Sequence, residues 1–202
     1  MRALRLKDRS DDLRALGAFL RDALVLFVSA ALALALSAGE SEAQRPQTRE
    51  GFWIGFGLGV ASFHCEDCDD REPGGAFMVK LGGSISQKVL IGFEANSWLK
   101  EEEPYTLSQT NLNAVVYFYP SATGGFHLKG GIGLAVLNLE ADLGGGFSFS
   151  ETETGGGILL GLGYDARIGR NISLVPFLNL LGANFDGTKT DFVQLGLGLT
   201  FH

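Results

Sequence analysis

The chain closes on "VQLGLGLTFH", Val193–His202. Val193, Leu195, Leu197, Leu199 and Phe201 alternate there with Gln194, Gly196, Gly198 and Thr200. A period of two marks a strand, whose successive side chains point to opposite faces. One face is wholly apolar and the other is small or polar. A soluble domain rarely leaves such a stripe at its edge, because an open apolar strand templates pairing with other chains.

Working back from that end, the same device recurs. "GFWIGFGLGVASF" sets Phe52, Ile54, Phe56, Leu58 and Val60 against Trp53, Gly55, Gly57, Gly59 and Ala61. "AFMVKLGGSIS" sets Phe77, Val79, Leu81 and Ile85 against Met78, Lys80, Gly82 and Ser84. "VLIGFEANSWLK" opposes Val89, Ile91, Phe93, Ala95 and Leu99 to Leu90, Gly92, Glu94, Asn96 and Trp98. "TLSQTNLNAVVYFYP" opposes Leu112, Ala114, Val116 and Phe118 to Gln109, Asn111, Asn113, Tyr117 and Tyr119. "FHLKGGIGLAVL", "ILLGLGYDARI" and "ISLVPFLNLL" continue the pattern, with His127, Lys129, Asp165, Arg167, Phe177 and Asn179 on the mixed face. With the closing segment these make eight predicted strands.

The connectors alternate. "HCEDCDDREPGG", "EEEPY", "NLEADLGGGFSFSETETGG" and "GANFDGTKT" are long; "SQK", "SATGG" and "GRN" are short. An up-and-down barrel with one elaborated rim gives that rhythm. Within the third long connector, "GFSFSETET" has the alternation to extend its flanking strands.

The composition agrees. The 202 residues include 29 glycines without a strict every-third repeat, which excludes collagen. Glycine in a helix costs about 1 kcal/mol against alanine, so a helical fold is disfavoured. The net charge of −7 and the lack of a basic stripe argue against nucleic-acid binding.

The first 43 residues read differently. Arginines and Lys7 dominate the opening, an uncharged apolar run spans Ala23–Leu36, and small residues follow. The run is too short for a membrane helix, which needs about 20 residues. It predicts a secretory signal peptide over 1–43, cleaved near 38 or 43. A short lead over 44–50 and a barrel domain over 51–202 follow.

Charge placement decides which face is inside. Lys80, Glu94, Lys129, Asp165 and Arg167 all fall opposite the long aliphatics. A lipocalin-like barrel would put the aliphatics of all eight strands into one small interior, which cannot hold them. A membrane barrel turns them to lipid, keeps the charges in the lumen, and leaves no backbone edge unpaired. The expected fold is therefore all-β, an eight-stranded antiparallel up-and-down transmembrane barrel. Inward glycines make room for Trp53, Trp98, Tyr117, Tyr119 and Phe177, or else leave a cavity.

This pattern resembles the eight-stranded outer-membrane barrels of Gram-negative bacteria, the OmpA-like and OmpX-like group. The assembly signal of that group reads polar, any, glycine, any, any, hydrophobic, any, aromatic. Gln194, Gly196, Leu199 and Phe201 match it in order, and His202 is one residue beyond the usual end. The resemblance implies an outer-membrane location, contact with lipid and lipopolysaccharide, delivery by the barrel-assembly machinery, and a monomer. It places the long connectors outside the cell. There the oxidising surroundings favour a local Cys65–Cys68 disulfide over a redox or metal pair.

The lumenal set Lys80, Glu94, Asn96, Asn111, Asn113, Lys129, Asp165 and Arg167 is expected to form an internal salt-bridge and hydrogen-bond network, since buried charges need partners. Barrel deacylases of this group carry a His-x-Ser pair; here Lys129 stands two places after His127, so no enzyme is expected. No cofactor, metal or catalytic set is expected either. The acids of the long connectors are read as solvated loop charge. The expected role is a non-enzymatic barrel with a filled lumen and acidic extracellular loops, serving surface integrity or interaction. The alternative is a narrow channel through a glycine-lined lumen.

Overall fold

The computed structural model describes residues 49–66, 68, 70–102, 105–142 and 148–202; the expected signal peptide lies outside them. The elements are β1 (Phe52–Cys65), β2 (Glu72–Ser84), β3 (Val89–Glu102), β4 (Tyr105–Phe118), β5 (Phe126–Asp142), β6 (Ser148–Tyr164), β7 (Ala166–Arg167), β8 (Ile172–Phe185) and β9 (Thr188–Phe201). Neighbours in sequence pair antiparallel, except that β6 and β7 both pair with β8, and β1 pairs with β9 from Ile54↔Phe201 to Cys65↔Thr190. The closing stripe is thus the seam strand of a closed barrel.

Eight staves become nine segments because one stave is interrupted. Gly163 faces Phe177 and Ala166 faces Leu174, so the register continues unchanged across the break between β6 and β7. The gap falls opposite Val175 and Pro176, and Pro176 has no N–H to give the ladder. Asp165 sits in this gap, and its backbone N–H donates to Gly125 O at 2.9 Å.

The strands run 13 to 17 residues apart from the short β7, longer than the 9 to 11 a bilayer requires. The excess lies at the end away from the chain termini, and it corrects the expected connectors. "EEEPY" is mostly strand, with only residues 103–104 between β3 and β4. "GANFDGTKT" is strand too, turning at Asp186 (φ 44°) and Gly187 (φ 103°). Asp-Gly suits the left-handed pair of a tight hairpin. The pattern was hidden because outward residues there are polar, as at Asn184 and Lys189, so the apolar stripe stops where lipid stops. β5 and β6 pair as far as Asp142↔Ser148, as the alternation in "GFSFSETET" allowed.

The faces fall as the charges required. Phe52, Phe56, Leu58, Phe93, Leu134 and Ile158 belong to an exposed apolar belt around the barrel. Inside, the lumen is filled in layers. Phe63 stacks on Trp98 toward the loop end (centroids 4.5 Å, 13°), beside Phe192 and Leu181. Trp53 meets Tyr117 edge-on at 5.1 Å toward the terminal end. Between these aromatic layers lie the charges.

Candidate functional site

Glu94 on β3 is the hub of the middle layer and is fully buried. Lys129 on β5 reaches across the lumen, its Nζ 2.6 Å from Oε1 and 2.8 Å from Oε2. Tyr117 Oη donates to Oε2, while Asn96 Nδ2 (3.0 Å) and Asn179 Nδ2 (3.3 Å) donate to Oε1. Asn179 also donates to Asn96 Oδ1 (2.9 Å) and Gln194 Oε1 (3.0 Å), and Gln194 Nε2 donates to Phe77 O (3.3 Å). Nearer the loop end, Thr190 donates to Gln109 (2.8 Å), Gln109 to Asn111 (2.9 Å), and Asn111 to Gly182 O (3.3 Å). A carboxylate with this many donors, one of them an ammonium, meets the conditions under which a buried ion pair is tolerated.

The other residues of the expected network sit differently. Asn113 faces Glu94 in register and is buried, but neither amide atom finds a partner among the described residues. Lys80 also faces Glu94 in register, yet its Nζ lies 5.5 Å from the Tyr117 ring and 5.9 Å from the Trp53 ring. Asp165 belongs to a separate cluster at the terminal mouth. Tyr119 Oη donates to it at 2.8 Å, His127 Nδ1 lies 3.6 Å away, and Arg49 Nε lies 3.8 Å away. Arg167 is only partly buried and donates to Arg170 O (2.8 Å).

Arg49 was not legible in the sequence. It precedes β1 in a lead with no periodicity, yet it is 1% exposed. Its backbone N–H donates to Gln87 Oε1 (2.8 Å), and its guanidinium donates to the carbonyls of Gln87 (3.4 Å), Ala122 (3.2 Å) and Gly124. It also stacks on Tyr119, 3.6 Å from the ring centroid. One fork thereby ties two of the terminal turns together. Asn179 and Gln194 were legible as inward positions, but their place in the network was not.

His202 is part of the same mouth. Its backbone N–H donates to Asn171 O (3.0 Å), and its side chain lines a narrow crevice with Trp53, Lys80 and Thr200. Burial pushes its imidazole down to about 4, so it is neutral at ordinary pH.

The inward glycines are explained by what sits over them. A Cβ on Gly57 would lie 2.7 Å from Phe177 Cε1, one on Gly161 2.8 Å from Lys129 Cε, and one on Gly163 2.8 Å from the His127 ring. Gly196 likewise clears Phe177, at 2.5 Å from its Cζ. So Gln194 and Gly196 of the closing motif have packing roles, while Leu199 and Phe201 face outward.

At the loop end Cys65 and Cys68 are disulfide-bonded, and Cys68 N–H donates to Cys65 O (3.0 Å). Two of the acids there are paired, Asp191 with Arg71 (2.6 Å) and Glu72 with Lys100. Among the described residues no group of three His, Cys, Asp or Glu side chains could hold a metal ion.

Residues 28–201 match the sequence family described as "Outer membrane protein beta-barrel domain". The chain belongs to this family. It is an outer-membrane protein, as the lipid-facing belt requires. No curated protein sequence matches it significantly. The barrel is similar to that of Ail, the attachment invasion locus protein of Yersinia pestis, at 17% identity and TM-score 0.55, covering 75% of this chain and 99% of that one. The same protein in complex with the heparin analogue sucrose octasulfate gives 16% identity and TM-score 0.57, with the same coverage. Neisserial surface protein A gives 17% identity and TM-score 0.53, covering 77% and 99%. Identities this low speak for the shared fold alone.

Proposed function

We propose that this family member is a non-enzymatic outer-membrane barrel, closed to solutes by its own side chains, that presents an acidic sheet to the cell exterior. The observation that carries the closed lumen is the Glu94–Lys129 bridge from β3 to β5 between two aromatic layers. The occupied glycines argue the same way, since the space they leave is taken by Phe177, Lys129 and His127.

The interaction surface is the protruding part of β6. The pairing of β8 with β6 starts at Gly156↔Asn184, so among the described residues Phe149–Thr154 pairs on one side only, with β5. Glu151 and Glu153 are exposed on this segment, and Glu140 on β5 beside it. A partner that adds an extended, lysine- or arginine-rich strand would satisfy both the edge and the charge. Ail is seen with a polyanion; the acids here suit the opposite charge. In this reading the barrel is a monomer that contacts lipopolysaccharide at its outer rim. Its closing motif, ending on Phe201, addresses it to the assembly machinery.

Planar-bilayer recording tests the closed lumen. The purified barrel is expected to give no discrete openings. Stable single-channel steps, lost on blocking the lumen, would replace this reading with a narrow channel.

A further inference from the structure

The belt that faces lipid is not uniform. On the terminal half of β1 to β5 it carries a groove of about 830 Å³. Two rows of side chains make it. In one row, Leu81 faces Phe93, Phe93 faces Ala114 and Ala114 faces Ile132. The lone methyl of Ala114 thus lies between Phe93 and Ile132, two of the most exposed apolar side chains of the belt. In the next row toward the chain termini, Gly83 faces Ile91 and Ile91 faces Val116.

Packing explains the inward glycines but not Gly83. A Cβ on Gly83 would meet nothing nearer than Gly51 O at 3.8 Å. The site has room for a side chain and carries none. The depression is therefore a property of the outer surface and not a by-product of filling the lumen.

We propose that this groove holds an acyl chain of a phospholipid from the surrounding membrane. The occupant follows from the groove's place. It is lined almost wholly by apolar atoms and is continuous with the lipid-facing belt, so hydrocarbon already bathes its walls. It runs from Ile85 at the β2–β3 turn to the row of Leu81, four residues or roughly 13 Å along a strand. That is about half the ~25 Å apolar band of such barrels, the depth of one leaflet. The short turns and chain ends lie on this side, which in the family faces the periplasm, where the leaflet is phospholipid. A chain descending from a head group at the turn would lie along Gly83 and Ala114 with Phe93 and Ile132 as walls.

Native mass spectrometry on protein extracted from the outer membrane in mild detergent tests this. Wild type is expected to retain one phospholipid. Gly83→Leu and Ala114→Phe fill the groove from the outside, and both should still fold, as their heat-dependent gel shift would report. Each should lower retained phospholipid about tenfold, the loss of contact with roughly two methylenes. Wild type without an adduct would overturn the proposal, as would equal retention in folded variants. It would also fail if the adduct were lipopolysaccharide, or if the filled variants lost a dimer and not a lipid.

Discussion

In the middle of the lumen, Glu94 accepts from Lys129, Tyr117, Asn96 and Asn179. At the terminal mouth the side chains are just as polar but are held otherwise. Arg49 spends its fork on turn carbonyls, Lys80 rests over two aromatic rings, and Trp53 Nε1, Thr200 Oγ1 and Ser173 Oγ find no protein partner among the described residues. The contrast lies in the partners each layer offers. In the middle most donors converge on one carboxylate, although Asn113 is buried beside it without a partner among the described residues. At the mouth the groups are equally buried, but backbone carbonyls and ring faces take the place of a central carboxylate. The middle specifies the fold, and the mouth fastens it.

That contrast can be broken by mutation. The largest effect should come from Glu94→Ala, which strands Lys129 in the lumen. Loss of one partner of a buried pair costs about 3–5 kcal/mol, read as a fall in the urea midpoint in lipid vesicles. Adding Lys129→Met should restore much of it; a double variant no better than the single would show that the pair is not the hub. Arg49→Ala should cost less, about 2 kcal/mol, for its charged bonds to turn carbonyls. Arg49→Lys should not rescue it, because an ammonium cannot bridge two turns as a fork does. Full rescue by lysine would reduce the clasp to a simple charge.

Lys80→Met should change the midpoint by less than about 1 kcal/mol, since only contacts with aromatic rings are lost. A loss comparable to that of Glu94→Ala would place Lys80 in the hub after all. The remaining effect is pH-linked. The His202 imidazole is neutral in the fold, its value lowered from 6.5 to about 4. Its share of stability is therefore full above about 6.5 and is lost as pH falls toward 4. His202→Asn should flatten that part of the urea midpoint against pH. Identical curves for the two proteins would remove His202 from the mouth.

Glu94 and Lys129 also show how far sequence reading reaches. Their inward parity is plain from alternation on β3 and β5, and their opposite signs suggest a pair. Asp165 and Arg167 also share parity and carry opposite signs, yet Asp165 accepts its hydrogen bond from Tyr119 Oη. The stave is interrupted opposite Pro176, and Arg167 turns to Arg170 O. The connectors misled for a different reason. Above the membrane the outward face of a strand turns polar, as at Asn184 and Lys189, so the two-residue period loses its contrast although the ladder continues.

The sequence by itself determined the barrel, its lipid-facing side and the lumenal polar groups carried by the strands. Those follow from local alternation and from the cost of charge in hydrocarbon, which any register must respect. Tertiary structure decided who pairs with whom: Glu94 with Lys129, Asp165 with Tyr119, Arg49 with the turns, and an outer groove over Gly83 and Ala114. These depend on the stagger between strands and on how side chains from all sides of the barrel share one interior. No single strand carries that information.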